Sequence, residues 1–222
     1  MIITQKKPFE EVLEMLGDAK NVLLSGCGQC ATVCQTGGED QLKEMKEALE
    51  AKGYNVVGCI YPDTGCNKLL MKKELKAFKD ADIDAIVSMS CGDGTQTIAG
   101  NTSYPVYPAN NTLFLGEIER LTLFSEACKQ CGDCVLGLTG GICPVTKCAK
   151  SLMNGPCGGA KDGKCEVNPE NPCAWIEIYK RLKNIGQLDK FEKINDSKGF
   201  ANVAYPRTID LKAATAKGGD NE

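Results

Sequence analysis

The chain has 222 residues, which is enough for one large or two small domains with a buried core. Its formal net charge of −3 and isoelectric point of about 5.3 exclude the basic surface field that nucleic-acid binding requires. No apolar run approaches the roughly 18 residues of a membrane span, and the start, MIITQKKPFEEV, lacks the features of a signal peptide, so we expect a soluble cytoplasmic protein.

Cysteine is unusually frequent in this chain, with 14 copies, and histidine is absent. Without an export signal, so many cysteines indicate metal ligands, and a disulfide framework is the minor alternative. The absence of histidine excludes mixed cysteine–histidine zinc sites, Rieske centres, histidine-ligated haem and histidine general-base catalysis. We therefore expect any bound metal to have sulfur ligands.

Apolar periodicity in the first half of the chain predicts strands that alternate with helices. Helices are predicted over 8–16, 39–52 and 67–80, and strands over 21–25, 54–60 and 85–89, with a short fourth strand at Val106 and Tyr107. This alternation is typical of a parallel sheet with right-handed crossovers. The predicted class is therefore α/β, with a small parallel Rossmann-like sheet domain followed by a cysteine-rich module of loops and helices.

Five cysteines follow the predicted strands and should lie at one edge of the sheet. Cys27, Cys30 and Cys34 come after the first strand, Cys66 after the second and Cys91 after the third. The carboxyl ends of parallel strands meet at one edge, where α/β proteins place their functional loops. Five sulfurs are enough for a four-thiolate cluster with one spare, so we predict a metal cluster here.

Three other interpretations apply to this region. Cys59 lies inside the apolar run VVGCIY, so we expect a small buried hydrophobic residue rather than a ligand. Gly26, Gly28 and Ala31 fit the G-x-G-x-x-A pattern of dinucleotide-binding turns, but the acidic residue expected after the second strand is missing, which leaves nucleotide binding as a weak alternative. Cys91 could be a nucleophile, although no histidine exists to activate it.

The remaining segments define the predicted domain boundaries. An extended piece over 112–115 and a helix over 117–127 lead into the cysteine-rich segment, and a final helix is predicted over 174–185. We interpret the apolar stripe of this last helix as core packing, with a partner-binding face as the alternative. The predicted domains are an α/β domain over 1–125, the cysteine-rich module over 126–190, and a polar tail over 191–222 that wraps a partner or stays mobile.

Eight cysteines fall between Cys128 and Cys173. The first three, Cys128, Cys131 and Cys134, form a C-x2-C-x2-C run that resembles bacterial ferredoxins, in which such a run holds three corners of a [4Fe–4S] cluster. In bacterial ferredoxins three residues separate the third cysteine from the next Cys-Pro, whereas eight residues separate Cys134 from Cys143 here. The identity of the fourth ligand therefore stays open. The second set of ligands would be drawn from Cys143, Cys148, Cys157, Cys165 and Cys173.

Longer motifs narrow the identification. GGICPVTKCAKSLMNGPCGG, KCEV and PCAW, together with GCGQCATVCQTGG, SMSCGDG and PVYPANNTLFLG, resemble the small iron–sulfur subunit of bacterial, acetogen-type methylenetetrahydrofolate reductase. The likeness runs from about Val22 to Leu188. It implies that this chain is a non-catalytic subunit whose partner is a flavin-containing, folate-binding catalytic subunit.

The expected role is electron transfer. The chain would take electrons from ferredoxin or an NADH-oxidising subunit and pass them to FMN or FAD on the partner, which reduces 5,10-methylene- to 5-methyltetrahydrofolate in one-carbon metabolism, as in the reductive acetyl-CoA pathway. We expect two [4Fe–4S] clusters in the cysteine-rich module and one more in the amino-terminal domain. The alternative is a structural or docking subunit with four-thiolate zinc sites, and zinc at one site among iron–sulfur neighbours also stays open.

Overall fold

The structure is a computed structural model that describes residues 1–199 and 208–210. The chain forms two compact units, Met1–Ala127 and a second that begins at Cys128. Most of the predicted polar tail, 200–207 and 211–222, lies outside the described residues. None of the described helices is long and apolar enough to span a bilayer.

The mixed α/β class is confirmed, with one parallel and one antiparallel sheet in the first unit. The strands are β1 (Ile2–Lys6), β2 (Asn21–Ser25), β3 (Asn55–Ile60), β4 (Ala85–Ser88), β5 (Val106–Pro108), β6 (Asn110–Arg120) and β7 (Leu123–Cys128). The helices are α1 (Phe9–Leu16), α2 (Cys30–Val33), α3 (Glu39–Ala51), α4 (Lys68–Lys76), α5 (Gly92–Ala99), α6 (Pro144–Lys147) and α7 (Ala174–Asn184), followed by a 3₁₀ helix at Leu188–Glu192.

The parallel sheet has the order β3-β2-β4-β5 and is covered on both faces. Alternate residues of the central strand β2 point to opposite faces: Val22 and Leu24 belong to one apolar cluster and Leu23 to the other. The first cluster includes residues of α1 and α3, and the second includes Met71 of α4 and Ile98 of α5. Burial on both faces explains the continuous apolar run in β2.

The antiparallel sheet has the order β1-β6-β7 and corrects the sequence prediction. Residues 117–127, predicted as a helix, form the end of β6, a turn and β7. The end of β6 pairs with the neighbouring strand β7, and the first part of β6 pairs with β1, where Ile2 lies opposite Leu115. The predicted extended piece over 112–115 lies in β6. Strand pairing satisfies the backbone of this segment and overrides a weak local helical preference.

Helix α5 was also missed, because its sequence GDGTQTIA contains two glycines, which disfavour helix. Its first turn is supported by the Thr95 hydroxyl, which donates to the Cys91 carbonyl oxygen at 3.1 Å. Ile98 anchors the last turn in the apolar core. Tertiary packing therefore stabilises a helix that local propensity does not favour.

The second unit has a small core built on α7. Trp175, Ile178 and Leu182 are buried there, so the packing interpretation of their stripe is correct and this face is closed to a partner. The Trp175 indole N–H donates to the Leu152 carbonyl oxygen at 2.9 Å. The Phe191 ring meets Trp175 edge-on, with 5.7 Å between centroids, and fastens the 3₁₀ helix to α7.

Candidate metal centres

Three cysteines come together at the carboxyl edge of the parallel sheet. Cys27 follows β2, Cys66 follows β3 and Cys91 follows β4. The backbone N–H of Gly65 donates to the Cys27 sulfur at 3.4 Å, which joins the first two loops. Parallel strands with short crossovers place these three loops side by side.

The electrostatics of Cys66 show that these groups are close. Burial raises the pKa of the Cys66 thiol, and the negative charges of Asp93, Cys91 and Cys27 raise it further. Binding of a cation at this edge would offset the repulsion that deprotonation of Cys66 meets. Sequence analysis missed Asp93, although it stands two residues after Cys91 in SMSCGDG.

Cys30 and Cys34 occupy a different environment. Cys30 begins α2, and Cys34 follows that helix. The Cys34 sulfur lies 3.7 Å from the carbonyl oxygen of Ile2, in the antiparallel sheet. The structure therefore relates Cys34 to β1, and a site that joins all five amino-terminal thiols stays a prediction.

The expectation that Cys59 is buried is wrong. Cys59 is exposed, because β3 is an edge strand of the parallel sheet and only part of its surface is covered. Partial burial raises the pKa of this thiol, and the charges of Lys46 and Glu50 on α3 also act on it. Cys59 therefore lies on the surface beside α3, and its substitution is a suitable control for the candidate ligands.

The glycines of the G-x-G-x-x-A pattern have structural roles. A β-carbon at Gly26 would lie 2.6 Å from the Gly37 carbonyl oxygen, and one at Gly28 would lie 3.0 Å from the Asp63 carbonyl oxygen. Neighbouring loops therefore fill the space beside these glycines. The helix that follows, α2, has only four residues, so the dinucleotide interpretation gains no support.

In the second unit, Cys128 ends β7, and Cys131 and Cys134 lie on the irregular loop that follows. Gln130 and Gly132 in this run have left-handed φ angles of 55° and 76°. The Gln130 N–H donates to the Cys128 sulfur at 3.3 Å. Such backbone donors stabilise the thiolate form that metals bind.

A lysine from the carboxyl-terminal segment reaches this run. The Lys198 ammonium donates to the Cys131 sulfur at 3.0 Å. This hydrogen bond is the main cause that lowers the pKa of the Cys131 thiol. Asn195 is held to the loop before Cys157, since its backbone N–H donates to the Asn154 side-chain oxygen at 2.7 Å. Lys198 falls in the segment predicted as the polar tail, 191–222, where no role was expected for it.

Four of the remaining cysteines line one cavity. Cys148 ends α6, Cys173 precedes α7, and Cys157 and Cys165 lie on the loop between them. The cavity is lined by Cys148, Cys157, Cys165 and Cys173, together with Pro156, Ala160 and Trp175 among others. Cys143 lies at the start of α6 and does not line it. Four of the five candidates for the second set therefore line one cavity, and their assignment as ligands stays a prediction.

Backbone amides point at the sulfurs of this second set. The N–H groups of Asn168 and Val167 are the main causes that lower the pKa of the Cys165 thiol. The Gly159 N–H donates to the Cys157 sulfur at 3.5 Å. An all-thiol donor set with amide hydrogen bonds to sulfur fits a [4Fe–4S] cluster.

An ion pair borders the same cavity and was missed by sequence analysis. The Lys150 ammonium contacts the Glu166 carboxylate and holds the pKa of that carboxyl below its usual range. A Glu166 oxygen lies 3.4 Å from the Cys157 sulfur. Glu166 is adjacent to Cys165, and Lys150 lies two residues after Cys148. This closeness to candidate ligands is the only signal for the two residues in the sequence.

Within residues 1–199 and 208–210, no group of three or more histidine, cysteine, aspartate or glutamate side chains is arranged to hold a metal ion. A mononuclear site draws its ligands toward one point. A cubane binds its thiolates at different iron atoms, so its ligands surround a volume. Cys148, Cys157, Cys165 and Cys173, which line one cavity, are the candidates for such a set of ligands.

Comparison with known proteins relates the second unit to one family. Residues 107–201 match the family described as "Methylene-tetrahydrofolate reductase C terminal", which links this chain to methylenetetrahydrofolate reductase. The match covers all eight cysteines from Cys128 to Cys173. No curated protein and no solved structure matches the chain.

Proposed function

We propose that this chain is an iron–sulfur electron-transfer subunit of a bacterial, acetogen-type methylenetetrahydrofolate reductase. The observation that carries the proposal is the cavity lined by Cys148, Cys157, Cys165 and Cys173, inside the region that matches this enzyme's carboxyl-terminal family. The other four cysteines of the region are then available for a second cluster: Cys128, Cys131, Cys134 and Cys143.

The residues of this chain supply ligands, hydrogen bonds and charge. Bound [4Fe–4S] clusters supply one-electron transfer. The amides around Cys165 and the ammonium of Lys198 stabilise negative charge on sulfur. Trp175 and its buried neighbours pack against Cys173 and exclude water from one side of the second set.

The folate chemistry is assigned to a partner. Reduction of a methylene group requires a hydride equivalent, and a flavin converts single electrons into such pairs. This chain has no histidine to serve as a general base, and its clustered reactive groups are cysteine thiols. The proposed partner is a flavoprotein catalytic subunit, and the proposed donor is ferredoxin or an NADH-oxidising subunit.

Metal analysis of anaerobically purified protein tests the cofactor. A brown protein with about eight iron atoms and eight sulfides in the second unit is expected for two cubanes. Iron above this number would be assigned to the cysteines of the first unit, at the carboxyl edge of its parallel sheet. A colourless protein with stoichiometric zinc would overturn the redox proposal and support the structural alternative.

Electron delivery is tested with Cys131→Ser in the complex with the flavoprotein. Loss of a ligand thiolate should block electron transfer from the external donor, while the partner keeps its flavin and still oxidises methyltetrahydrofolate with an artificial dye. Cys59→Ser is the matched control and should transfer electrons at the normal rate. Normal donor-dependent rates in a Cys131→Ser variant that has lost cluster iron would contradict the relay.

A further inference from the structure

A cavity of about 360 Å³ lies on the first unit, away from the cysteines. It is lined by the second half of α4 and the residues that follow it, by the segment after α5, and by the central strands β2 and β4. The segments 76–83 and 101–104 lead into the amino ends of β4 and β5, whereas the cysteine loops follow the carboxyl ends. Its volume is within the range of small-molecule sites.

The floor of this cavity is apolar. Leu75 and Phe78 contribute partly exposed apolar side chains, and the fully buried Leu23 and Ile86 of the two central strands also border the cavity. The Phe78 ring can sit close to the sheet because residue 58 is glycine: a β-carbon there would come within 2.5 Å of Phe78. The floor can therefore accept an apolar ring or chain.

One wall of the cavity carries three lysines. Lys72, Lys76 and Lys79 line it with spacings of four and three residues. In the part of the chain that the structure describes, none of them lies within ion-pair distance of a carboxylate. Lys72 and Lys76 lie four residues apart on α4, a spacing at which like charges repel each other, and Lys79 follows the helix. The cavity therefore presents three exposed positive charges on one side, in a chain of net charge −3.

The opposite wall is polar and neutral. Asn101, Thr102 and Ser103 line it, followed by Tyr104. The Tyr104 hydroxyl donates to the Ala81 carbonyl oxygen at 3.4 Å and ties this wall to the segment after α4. This hydrogen bond connects the segment after α5 to the segment after α4, and both segments line the cavity.

We propose that this cavity binds a small molecule that joins an apolar ring to an anionic group such as a phosphate, sulfonate or carboxylate. The ring lies on Leu75 and Phe78, and the anion is held by the lysine wall. An apolar enclosure with a few convergent polar groups is the usual form of a ligand site. This site is independent of the proposed redox role, because none of the cysteines lines it.

The test uses the full chain and two fluorescent probes that share a ring system. 1-Anilinonaphthalene-8-sulfonate carries a negative charge, and N-phenyl-1-naphthylamine is its neutral counterpart. We expect the anionic probe to bind at one site at least about tenfold more tightly than the neutral probe, and this preference to fall as salt is raised.

The Lys72→Gln/Lys76→Gln/Lys79→Gln variant should lose the preference for the anion while retaining the neutral probe, which shows that the cavity is intact. Lys43→Gln/Lys46→Gln on α3 is the control and should behave as wild type, because these lysines pair with Glu39 and Glu50 outside the cavity. Equal affinity for the two probes in the wild type, no binding of either, or an anion preference that survives the triple substitution would each overturn the proposal.

Discussion

At the scale of single residues, the cysteines differ in what faces their sulfur. Backbone N–H groups lower the pKa of Cys165, and the Lys198 ammonium lowers that of Cys131. Burial and neighbouring negative charges raise the pKa of Cys66. The cysteine thiols therefore differ in how readily they become thiolates. The same contacts would act on the reduction potential of a bound cluster.

The Lys198 contact predicts a shift in reduction potential. Lys198→Met removes a positive charge 3.0 Å from the Cys131 sulfur. Because the charge stabilises the more negative, reduced cluster, the midpoint potential of the cluster bound by Cys131 should become more negative. An EPR-monitored redox titration measures it, with Lys193→Met as an exposed control and Lys198→Arg as the conservative variant. An unchanged potential in Lys198→Met would rule out this electrostatic role.

At the scale of elements, a carboxylate joins the beginnings of two parallel strands. The Asp84 carboxylate accepts hydrogen bonds from the backbone N–H groups of Lys20 and Asn21, both at 2.8 Å. These bonds hold the pKa of Asp84 below its usual range. They therefore contribute to the alignment of β2 with β4 in the charged form of the carboxylate.

Asp84→Asn should lower stability with a defined pH dependence. A depressed carboxyl pKa contributes stability above the unfolded-state value of about 3.9, and the contribution is lost as pH falls through the lower folded-state value. The variant should therefore be less stable than wild type at neutral pH and equal to it in strong acid, as measured by urea unfolding across this range. Asp18→Asn, in an exposed turn, is the control, and a difference that persists in acid would contradict the assignment.

A buried amide joins two loops of the first unit to the start of β6. The Asn110 side-chain amide at the start of β6 donates to the Met89 carbonyl oxygen at 2.6 Å and also lies near the Thr36 and Ser90 carbonyl oxygens. Asn110→Ala leaves these acceptors without their donor, which should cost about 1–3 kcal/mol of unfolding free energy. Denaturant titration measures the loss. Asn111→Ala, at an exposed neighbour, should cost much less.

At the scale of the whole molecule, the two units differ in how much apolar core they contain. The first unit has clusters of eleven and six buried residues, whereas the second has a cluster of four. A small core rarely supports a fold alone, and bound metal commonly supplies the missing stability. The second unit is therefore expected to depend on its clusters.

Cluster removal tests this difference between the units. Oxidative treatment with a chelator should make residues 128–199 sensitive to protease while 1–127 stays resistant, because only the first unit keeps its packing. Limited proteolysis with mass spectrometry, before and after treatment, locates the cleavage sites. Equal protease resistance of both units after iron loss would show that the clusters do not stabilise the second unit.

The sequence by itself determined which donor atoms are abundant and much of the parallel sheet. Fourteen cysteines without histidine make sulfur the expected ligand for any bound metal. The strands β2 to β4 and the helices α3 and α4 were predictable because their apolar periodicity is local. The helix α7 and its buried stripe were predictable for the same reason.

Only the tertiary structure decided which distant groups meet. The extended piece predicted over 112–115 lies in β6, which pairs with β1 more than 100 residues away, whereas the end of β6 and β7, which pairs with β6, were predicted as a helix. Exposure of Cys59 follows from the position of β3 at a sheet edge, which is a property of strand order. Likewise, spacing left five candidates for the second set, and folding around α7 placed four of them on one cavity, because proximity between loops is set by packing and not by sequence distance.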